Sequence, residues 1–124
     1  MSRKILIVDD EPNIVFMLSH RLKQSGYEVV TGRDGQEALE MARKENPDII
    51  ILDLMLPKMN GYTVCGLLKR DAAFSKIPVI MLTARAQESD KKQGREAGAD
   101  AYVKKPFKSE ELLDIIERFL SQPQ

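Results

Sequence analysis

Short apolar runs alternate with longer amphipathic stretches along the whole chain. Runs of this length predict buried β-strands, and apolar residues at helical spacing predict helices between them. The predicted strands cover residues 5–8, 28–31, 48–53, 79–82 and 101–103. Because strands and helices alternate, we expect a parallel sheet with helices on both of its faces.

Five helices are predicted, and four of them have an apolar face that can pack on the sheet. Pro12 suits the first turn of the first helix, where its missing N–H is harmless. Gly61 begins the third helix, and the very polar fourth helix, residues 88–97, ends at Gly98. The apolar faces of the others are Ile14, Met17, Leu18 and Leu22; Ala38, Leu39 and Ala42; Val64, Leu67 and Leu68; and Leu112, Leu113, Ile116 and Phe119.

The second helix begins with a capping signal. Asp34 and Glu37 have capping-box spacing, in which the two residues exchange side-chain to backbone hydrogen bonds. We therefore expect the Glu37 carboxylate to accept a hydrogen bond from the Asp34 N–H.

The order of the strands follows from how such units connect. Right-handed crossovers with one reversal of direction give a doubly wound α/β sheet of five strands in the order 2-1-3-4-5, as in flavodoxin-like folds. The first and third strands are then neighbours, so the residues at their carboxyl ends share one crevice.

Length, charge and cysteine content narrow the class of protein. A chain of 124 residues fits one domain, which we expect over residues 1–121, with 122–124 as a tail or the start of a linker. Lys plus Arg and Asp plus Glu each number 19, so no net charge favours nucleic acid or an anionic membrane. The single cysteine, Cys65, excludes an internal disulfide and is expected to pack near the third helix. Without a long apolar stretch or a leader, the chain is expected to be cytoplasmic.

Polar residues lie at the carboxyl ends of the predicted strands. Asp9 and Asp10 follow the first strand, Asp53 ends the third, Thr83 follows the fourth and Lys105 follows the fifth. Ligands of open α/β sheets bind at this edge. Three adjacent carboxylates repel one another unless a cation such as Mg²⁺, which prefers oxygen ligands, lies between them. A carboxylate there is also a competent nucleophile for a phosphoryl group, whose oxygens Lys105 and Thr83 can contact.

Each of these residues taken alone also has an ordinary structural interpretation. Asp9, Asp10 and Asp53 can act as caps at the ends of helices or strands. Thr83 is a good β-former at the end of a strand, and a lysine such as Lys105 is usually solvated. The combination, rather than any one residue, therefore indicates a phosphoryl site.

Six short segments carry a family resemblance, in order and spacing, across nearly the whole chain. They are Ile7-Val8-Asp9-Asp10-Glu11, Leu52-Asp53-Leu54-Met55-Leu56-Pro57, Asn60-Gly61, Leu82-Thr83-Ala84, Gly98-Ala99-Asp100 and Lys105-Pro106-Phe107. Together they resemble the receiver domain of a two-component response regulator, including those of the chemotaxis type.

The resemblance implies a role for each residue of the site. Asp53 matches the aspartate that accepts the phosphoryl group. The implied Mg²⁺ ligands are Asp9, Asp10, Asp53 and the backbone carbonyl of Met55. The implied phosphate-contacting and switch residues are Thr83, Ala84, Lys105 and Tyr102. The ring of Tyr102 would move inward when Thr83 turns toward the phosphate. The peptide bond before Pro106 is implied to be cis.

The resemblance also implies a signalling module rather than an enzyme. A sensor histidine kinase or phosphotransfer protein would supply the phosphoryl group, and the domain itself would only hydrolyse it afterwards. Phosphorylation would shift the surface formed by the fourth helix, fifth strand and last helix, which controls an output domain or target protein. Ala101 and Ile115 stand where DNA-binding regulators of the winged-helix class often carry an acid and an arginine in a dimer contact. This departure weakens, without excluding, a phosphorylation-dependent dimer built on that contact.

Two other functions use similar parts. A Mg²⁺-dependent hydrolase of the haloacid-dehalogenase type also has an aspartate nucleophile, but it carries a D-x-D pattern on its first strand and a cap structure. Here Asp9 and Asp10 are adjacent, and a cap has little room. A nucleotide or flavin binder would need a glycine-rich phosphate loop, which this sequence lacks.

Overall fold

The computed structural model describes residues 3–84 and 98–121, and its centre is a five-stranded parallel sheet. The strands are β1 (Lys4–Val8), β2 (Glu28–Gly32), β3 (Ile49–Asp53), β4 (Val79–Thr83) and β5 (Ala101–Lys104). They lie in the order β2-β1-β3-β4-β5, which confirms the predicted sheet. Val8 lies opposite Leu52, so the carboxyl ends of β1 and β3 are adjacent.

Within the described residues, four helices connect or follow the strands. They are α1 (Pro12–Gln24), α2 (Gly35–Glu45), α3 (Gly61–Arg70) and α4 (Ser109–Ser121). The polar helix predicted over 88–97 lies outside the described residues, and so does the predicted tail over 122–124. None of the helices in the two described ranges is both long and apolar enough to span a membrane.

The start of α2 differs in one bond from the predicted capping box. Asp34 Oδ1 accepts the Glu37 N–H at 2.9 Å, as expected of an N-cap. The Glu37 carboxylate, however, accepts the N–H of Arg33 at 3.2 Å rather than that of Asp34. The Arg33 guanidinium lies 3.5 Å from the same carboxylate and draws it one residue further back.

The strands divide the hydrophobic core into two layers, because successive side chains point to opposite faces of a sheet. The layer against α1 and α4 is built around Ile5, Ile7, Leu18, Leu22, Ile49, Ile51, Ile80, Leu82, Val103, Leu112, Leu113, Ile116 and Leu120. The layer against α2 and α3 is built around Leu6, Val8, Ala38, Ala42, Ile50, Leu52, Leu54, Val64, Cys65, Leu68, Phe74, Val79 and Met81. The sheet is therefore covered on both faces, as its continuous apolar strands predict.

Two residues predicted to face inward lie on the surface instead. Leu67 is 42% exposed and Met17 is 44% exposed. On α3 the buried stripe is formed by Val64, Cys65 and Leu68, so Leu67 falls beyond its edge. Apolar spacing alone cannot tell which flank of a stripe meets the sheet.

The thiol of Cys65 is expected to resist modification while the protein is folded. Burial raises its pKa to about 11, and the thiolate is the reactive form. We expect a maleimide at pH 8 to label the protein at the rate of unfolding, and to label it rapidly in denaturant. Mass spectrometry of timed samples measures both rates. Rapid labelling of the folded protein would contradict the packing described above.

Candidate functional site

Asp9, Asp53 and Lys105 continue the rows of strand residues that form the core layer against α1 and α4. The steps run from Ile7 to Asp9, from Ile51 to Asp53 and from Val103 to Lys105. Residues two apart on a strand lie on the same face. The three polar residues therefore arrive at one edge of the sheet on one side of it.

Three carboxylates meet at this edge. Asp9, Asp10 and Asp53 each offer an oxygen, and these oxygens all lie within 4.8 Å of one another. Asp9 and Asp53 are buried, at 1% and 4% exposure, whereas Asp10 is exposed. The predicted convergence of the strand ends thus creates an acidic pocket that is open to solvent on the side of Asp10.

Lys105 bridges the buried carboxylates. Its Nζ lies 3.0 Å from Asp9 Oδ2, 3.4 Å from Asp53 Oδ1 and 3.5 Å from Glu11 Oε1. The role of Glu11 was missed, although it directly follows the acidic pair in sequence. The side chain of Lys105 is only 14% exposed, so solvent screens these interactions less than it screens surface pairs.

Backbone hydrogen bonds hold the site residues in place. Asp9 Oδ1 accepts the N–H of Glu11 at 2.9 Å. The N–H of Met55 points to Asp53 Oδ1 at 3.4 Å. The N–H of Lys105 donates to the carbonyl of Thr83 at 2.7 Å, which ties the segment after β5 to the end of β4.

The pKa values of Asp53 and Lys105 reflect this crowding. Burial raises the pKa of Asp53, the charge of Asp9 raises it further, and Lys105 only partly offsets both. Burial lowers the pKa of Lys105, but the hydrogen bond to Asp9 and the charges of Asp53, Asp9 and Glu11 raise it by more. One ammonium faces several carboxylates, so the pocket keeps an excess of negative charge that favours a cation.

The other predicted site residues lie at or near the same edge. Thr83 is buried at the end of β4, one residue beyond Leu82, the register partner of Asp53. Ala84 follows it and is exposed. Tyr102 of β5 lies further from this edge, opposite Met81 of β4, and packs against the core layer of α2 and α3. The Lys105–Pro106 peptide bond is cis.

Met55 is placed with its side chain outward. Met55 is 57% exposed, whereas its backbone N–H points to Asp53 Oδ1. The residue lies in the segment between β3 and α3, which returns to the sheet where the N–H of Gly61 donates to the carbonyl of Leu54 at 2.9 Å.

Gly61→Ala is expected to lower the free energy of unfolding by about 2 kcal/mol, because overpacking a close backbone contact forces the chain to shift. A Cβ at Gly61 would lie 2.6 Å from the carbonyl oxygen of Asp53 and 2.9 Å from Leu54 Cα. Gly66 in the same helix has nothing within 4 Å of such a Cβ. Gly66→Ala is expected to stabilise the protein by roughly 0.5 to 1 kcal/mol. Urea unfolding of both variants is the measurement, and equal stabilities would contradict the prediction.

The donor set of the pocket suits magnesium. Carboxylate oxygens are hard ligands, and Mg²⁺ is usually held by one or two carboxylates together with waters and substrate oxygens. The excess of negative charge and the open side at Asp10 fit such a cation and a phosphoryl oxygen beside it. The residues present therefore fit the predicted metal.

Comparison of the sequence with known proteins identifies a family that the chain matches. Residues 5–117 match the family described as response regulator receiver domain. The alkaline phosphatase synthesis transcriptional regulatory protein PhoP of Bacillus subtilis (strain 168) is 49% identical over 124 residues, which is 100% of this chain and 51% of that protein. This chain spans about half the length of the curated relatives it matches.

Solved structures with the same fold are also similar in sequence. The chemotaxis response regulator CheY4 of Vibrio cholerae is 37% identical with a TM-score of 0.91, covering 96% of this chain and 99% of that one. The receiver domain of sensor histidine kinase PA1611 from Pseudomonas aeruginosa PAO1 is 31% identical with a TM-score of 0.90, covering 98% and 100% of the two chains. In that structure a magnesium ion is coordinated in the active site cleft.

Proposed function

The chain belongs to the family of response regulator receiver domains, which are phospho-accepting modules of two-component systems, and from this premise we propose that Asp53 is its phosphoryl acceptor. One observation carries the proposal. Asp53 lies buried at the carboxyl end of the central strand β3, with Lys105 Nζ 3.4 Å from its Oδ1. It shares its pocket with Asp9 and Asp10.

The proposed reaction is a phosphoryl transfer from a phosphohistidine. A carboxylate oxygen of Asp53 attacks the phosphorus, an O–P bond forms, the P–N bond breaks, and the imidazole leaves with the electron pair. Lys105 donates a hydrogen bond to Asp9 and lies close to Asp53. It supplies a positive charge for the phosphoryl oxygens. Later hydrolysis by water returns the carboxylate.

Magnesium is the proposed cofactor. Asp9, Asp10, Asp53 and the backbone carbonyl of Met55 would hold it. When bound, it supplies charge that offsets the repulsion between carboxylate and phosphoryl oxygens. Asp10 is the exposed residue of the set. We propose that the ion is accessible to solvent and to the phosphoryl donor on this side.

We propose that the switch response begins at Thr83 and Ala84. A phosphoryl group on Asp53 brings new charge and acceptor oxygens to the end of the strand next to β4. The Thr83 hydroxyl can donate to those oxygens, and Tyr102 on the adjacent strand is the proposed aromatic element that responds. Contacts made in only one conformation shift the equilibrium toward it.

The proposed partners follow from the family and its relatives. Receiver domains act between histidine kinases and output domains, and the PhoP relative is a transcriptional regulatory protein. We propose that this domain, taken as residues 1–121, receives its phosphoryl group from such a kinase or a phosphotransfer protein. It would then control an output domain or a separate target. Three further expectations stay predictions: a phosphorylation-dependent dimer, the absence of direct nucleic-acid binding by this domain, and a cytoplasmic location.

The test is a mass measurement after incubation with a small phosphodonor such as acetyl phosphate. We expect one phosphoryl adduct per chain in the presence of Mg²⁺, little in chelator, and a proteolytic peptide map that assigns the adduct to Asp53. An adduct on another residue would overturn the assignment. Rapid multiple-turnover release of phosphate from many esters would overturn the phospho-accepting role; the family match gives the haloacid-dehalogenase alternative no support.

A further inference from the structure

The segment that follows Asp53 is held at its middle by α2. Residues 54–60 leave β3, and Lys58 within them has a left-handed backbone with φ of 68°. Lys58 Nζ lies 3.5 Å from Asp34 Oδ2 at the start of α2. The N–H of Met59 donates to the carbonyl of Pro57 at 2.7 Å, so the chain turns tightly at this contact.

Asp34 serves two elements at once. Oδ1 accepts the N–H of Glu37 and caps α2, while Oδ2 faces Lys58. The N–H of Glu37 lowers the pKa of Asp34, and the charge of Lys58 adds to the effect against the opposing influence of burial. The carboxylate is therefore ionised at neutral pH, and its hydrogen bond from the Glu37 N–H holds it in place beside the Lys58 ammonium.

Gly35 lets the two segments touch. A Cβ at Gly35 would lie 2.6 Å from both Cβ and the carbonyl oxygen of Met59, and 3.0 Å from Val64 Cγ2. No side chain fits there without moving the backbone of Met59. The start of α2 and the segment after β3 are thus in direct backbone contact, next to the ion pair.

We propose that Asp34, Gly35 and Lys58 are positioning residues that hold the segment after β3 so that the backbone of Met55 faces the metal pocket. The inference rests on the proposed function, because it takes the Met55 carbonyl as a metal ligand. The segment is short, and Met55 is only three residues before Lys58. A shift at Lys58 or Met59 therefore reaches Met55, whose N–H lies 3.4 Å from Asp53 Oδ1.

The direction of the change in Mg²⁺ affinity distinguishes a positioning role of Lys58 from a purely electrostatic one. Lys58 is 66% exposed, so its ion pair contributes little to folding. Removing a nearby positive charge would, by Coulomb attraction alone, strengthen the binding of a divalent cation. Positioning predicts the opposite: Lys58→Met should weaken Mg²⁺ binding about threefold, near the limit that an exposed pair allows. Gly35→Ala, which changes no charge, should weaken it roughly tenfold.

The experiment measures Mg²⁺ affinity by calorimetric titration of the wild type, Lys58→Met, Lys58→Arg, Gly35→Ala and Arg33→Gln. Lys58→Arg keeps the charge and should retain wild-type affinity. Arg33→Gln removes an exposed cation at the start of α2 that pairs with Glu37 rather than with the segment, so its affinity should be unchanged or higher. In chelator, amide hydrogen exchange at Gly61 should be faster in Lys58→Met and Gly35→Ala than in the wild type.

The outcomes separate this inference from the proposed function. A wild-type chain that does not bind Mg²⁺ would overturn both. Binding by the wild type, with equal or tighter binding by Lys58→Met and Gly35→Ala, would overturn the positioning role alone. If Gly35→Ala does not fold, the comparison of Lys58→Met with Lys58→Arg decides the question.

Discussion

Asp53→Asn is expected to remove the phosphoryl adduct completely while the fold is retained. Asparagine has nearly the same shape as aspartate but offers no carboxylate nucleophile. Mass spectrometry after phosphodonor treatment is the measurement. Asp114→Asn, a change of the same kind on the exposed face of α4, is the control and should be labelled like the wild type. Labelling of Asp53→Asn would show that another carboxylate is the acceptor.

The same substitution is expected to make the metal-free protein more stable at neutral pH. Because the pKa of Asp53 is raised in the folded state, its stabilising contribution is present in acid and is lost as pH rises through that raised value. Asparagine does not ionise and escapes this loss. Urea unfolding in chelator should therefore favour the variant near pH 7, and the difference should vanish at a pH below the ordinary pKa of aspartate. A variant that is less stable at neutral pH would contradict the prediction.

Lys105→Met is expected to lower the free energy of unfolding of the metal-free protein by about 3 kcal/mol at neutral pH, because it leaves buried carboxylates without their cation. Both of the carboxylates that Lys105 faces, Asp9 and Asp53, are buried. The pKa of Lys105 is raised, so the contribution of the charged amine is fully present at pH 7 and is lost only in strong base. Added Mg²⁺ should reduce the deficit, since it supplies the missing charge.

Lys104→Met is the matched control for this prediction. Lys104 is the adjacent residue, but it is exposed and makes none of the contacts of Lys105 with the acids. We expect its substitution to change stability by less than about 0.5 kcal/mol. Urea unfolding of both variants with and without Mg²⁺ measures the difference. Equal stabilities in chelator would mean that Lys105 does not hold the carboxylates together.

The convergence of Asp9, Asp53 and Lys105 could be predicted from sequence because it depends only on strand order and on which residue ends each strand. Apolar runs reveal both. The ammonium of Lys105 reaches Asp9 across 96 positions of sequence, yet each residue directly follows a recognisable strand. The family resemblance places the phosphate-contacting lysine directly before Pro106, which selects Lys105 rather than Lys104. Burial distinguishes the two lysines in the same way, because Lys104 is exposed and Lys105 is partly buried.

Other contacts carry no such signal. The pairing of Asp34 with Lys58 depends on a left-handed backbone at Lys58, a conformation that no apolar spacing announces and that lysine rarely adopts. The exposure of Leu67 depends on how α3 is rotated against the sheet. Glu37 bonds Arg33 because of a local ion pair that capping-box spacing does not include. Loop geometry and helix rotation are tertiary properties, and local patterns constrain them only weakly.

The two-residue steps from Ile7 to Asp9, Ile51 to Asp53 and Val103 to Lys105 have a consequence for strand length. Inserting or deleting a single residue in β1, β3 or β5 would turn the terminal side chain to the opposite face and out of the pocket. A change of two residues would keep the face but move the group by roughly 6.6 Å, beyond bonding reach of its neighbours. We therefore expect each of these strands to tolerate the exchange of one apolar residue for another more readily than any change in the number of its residues.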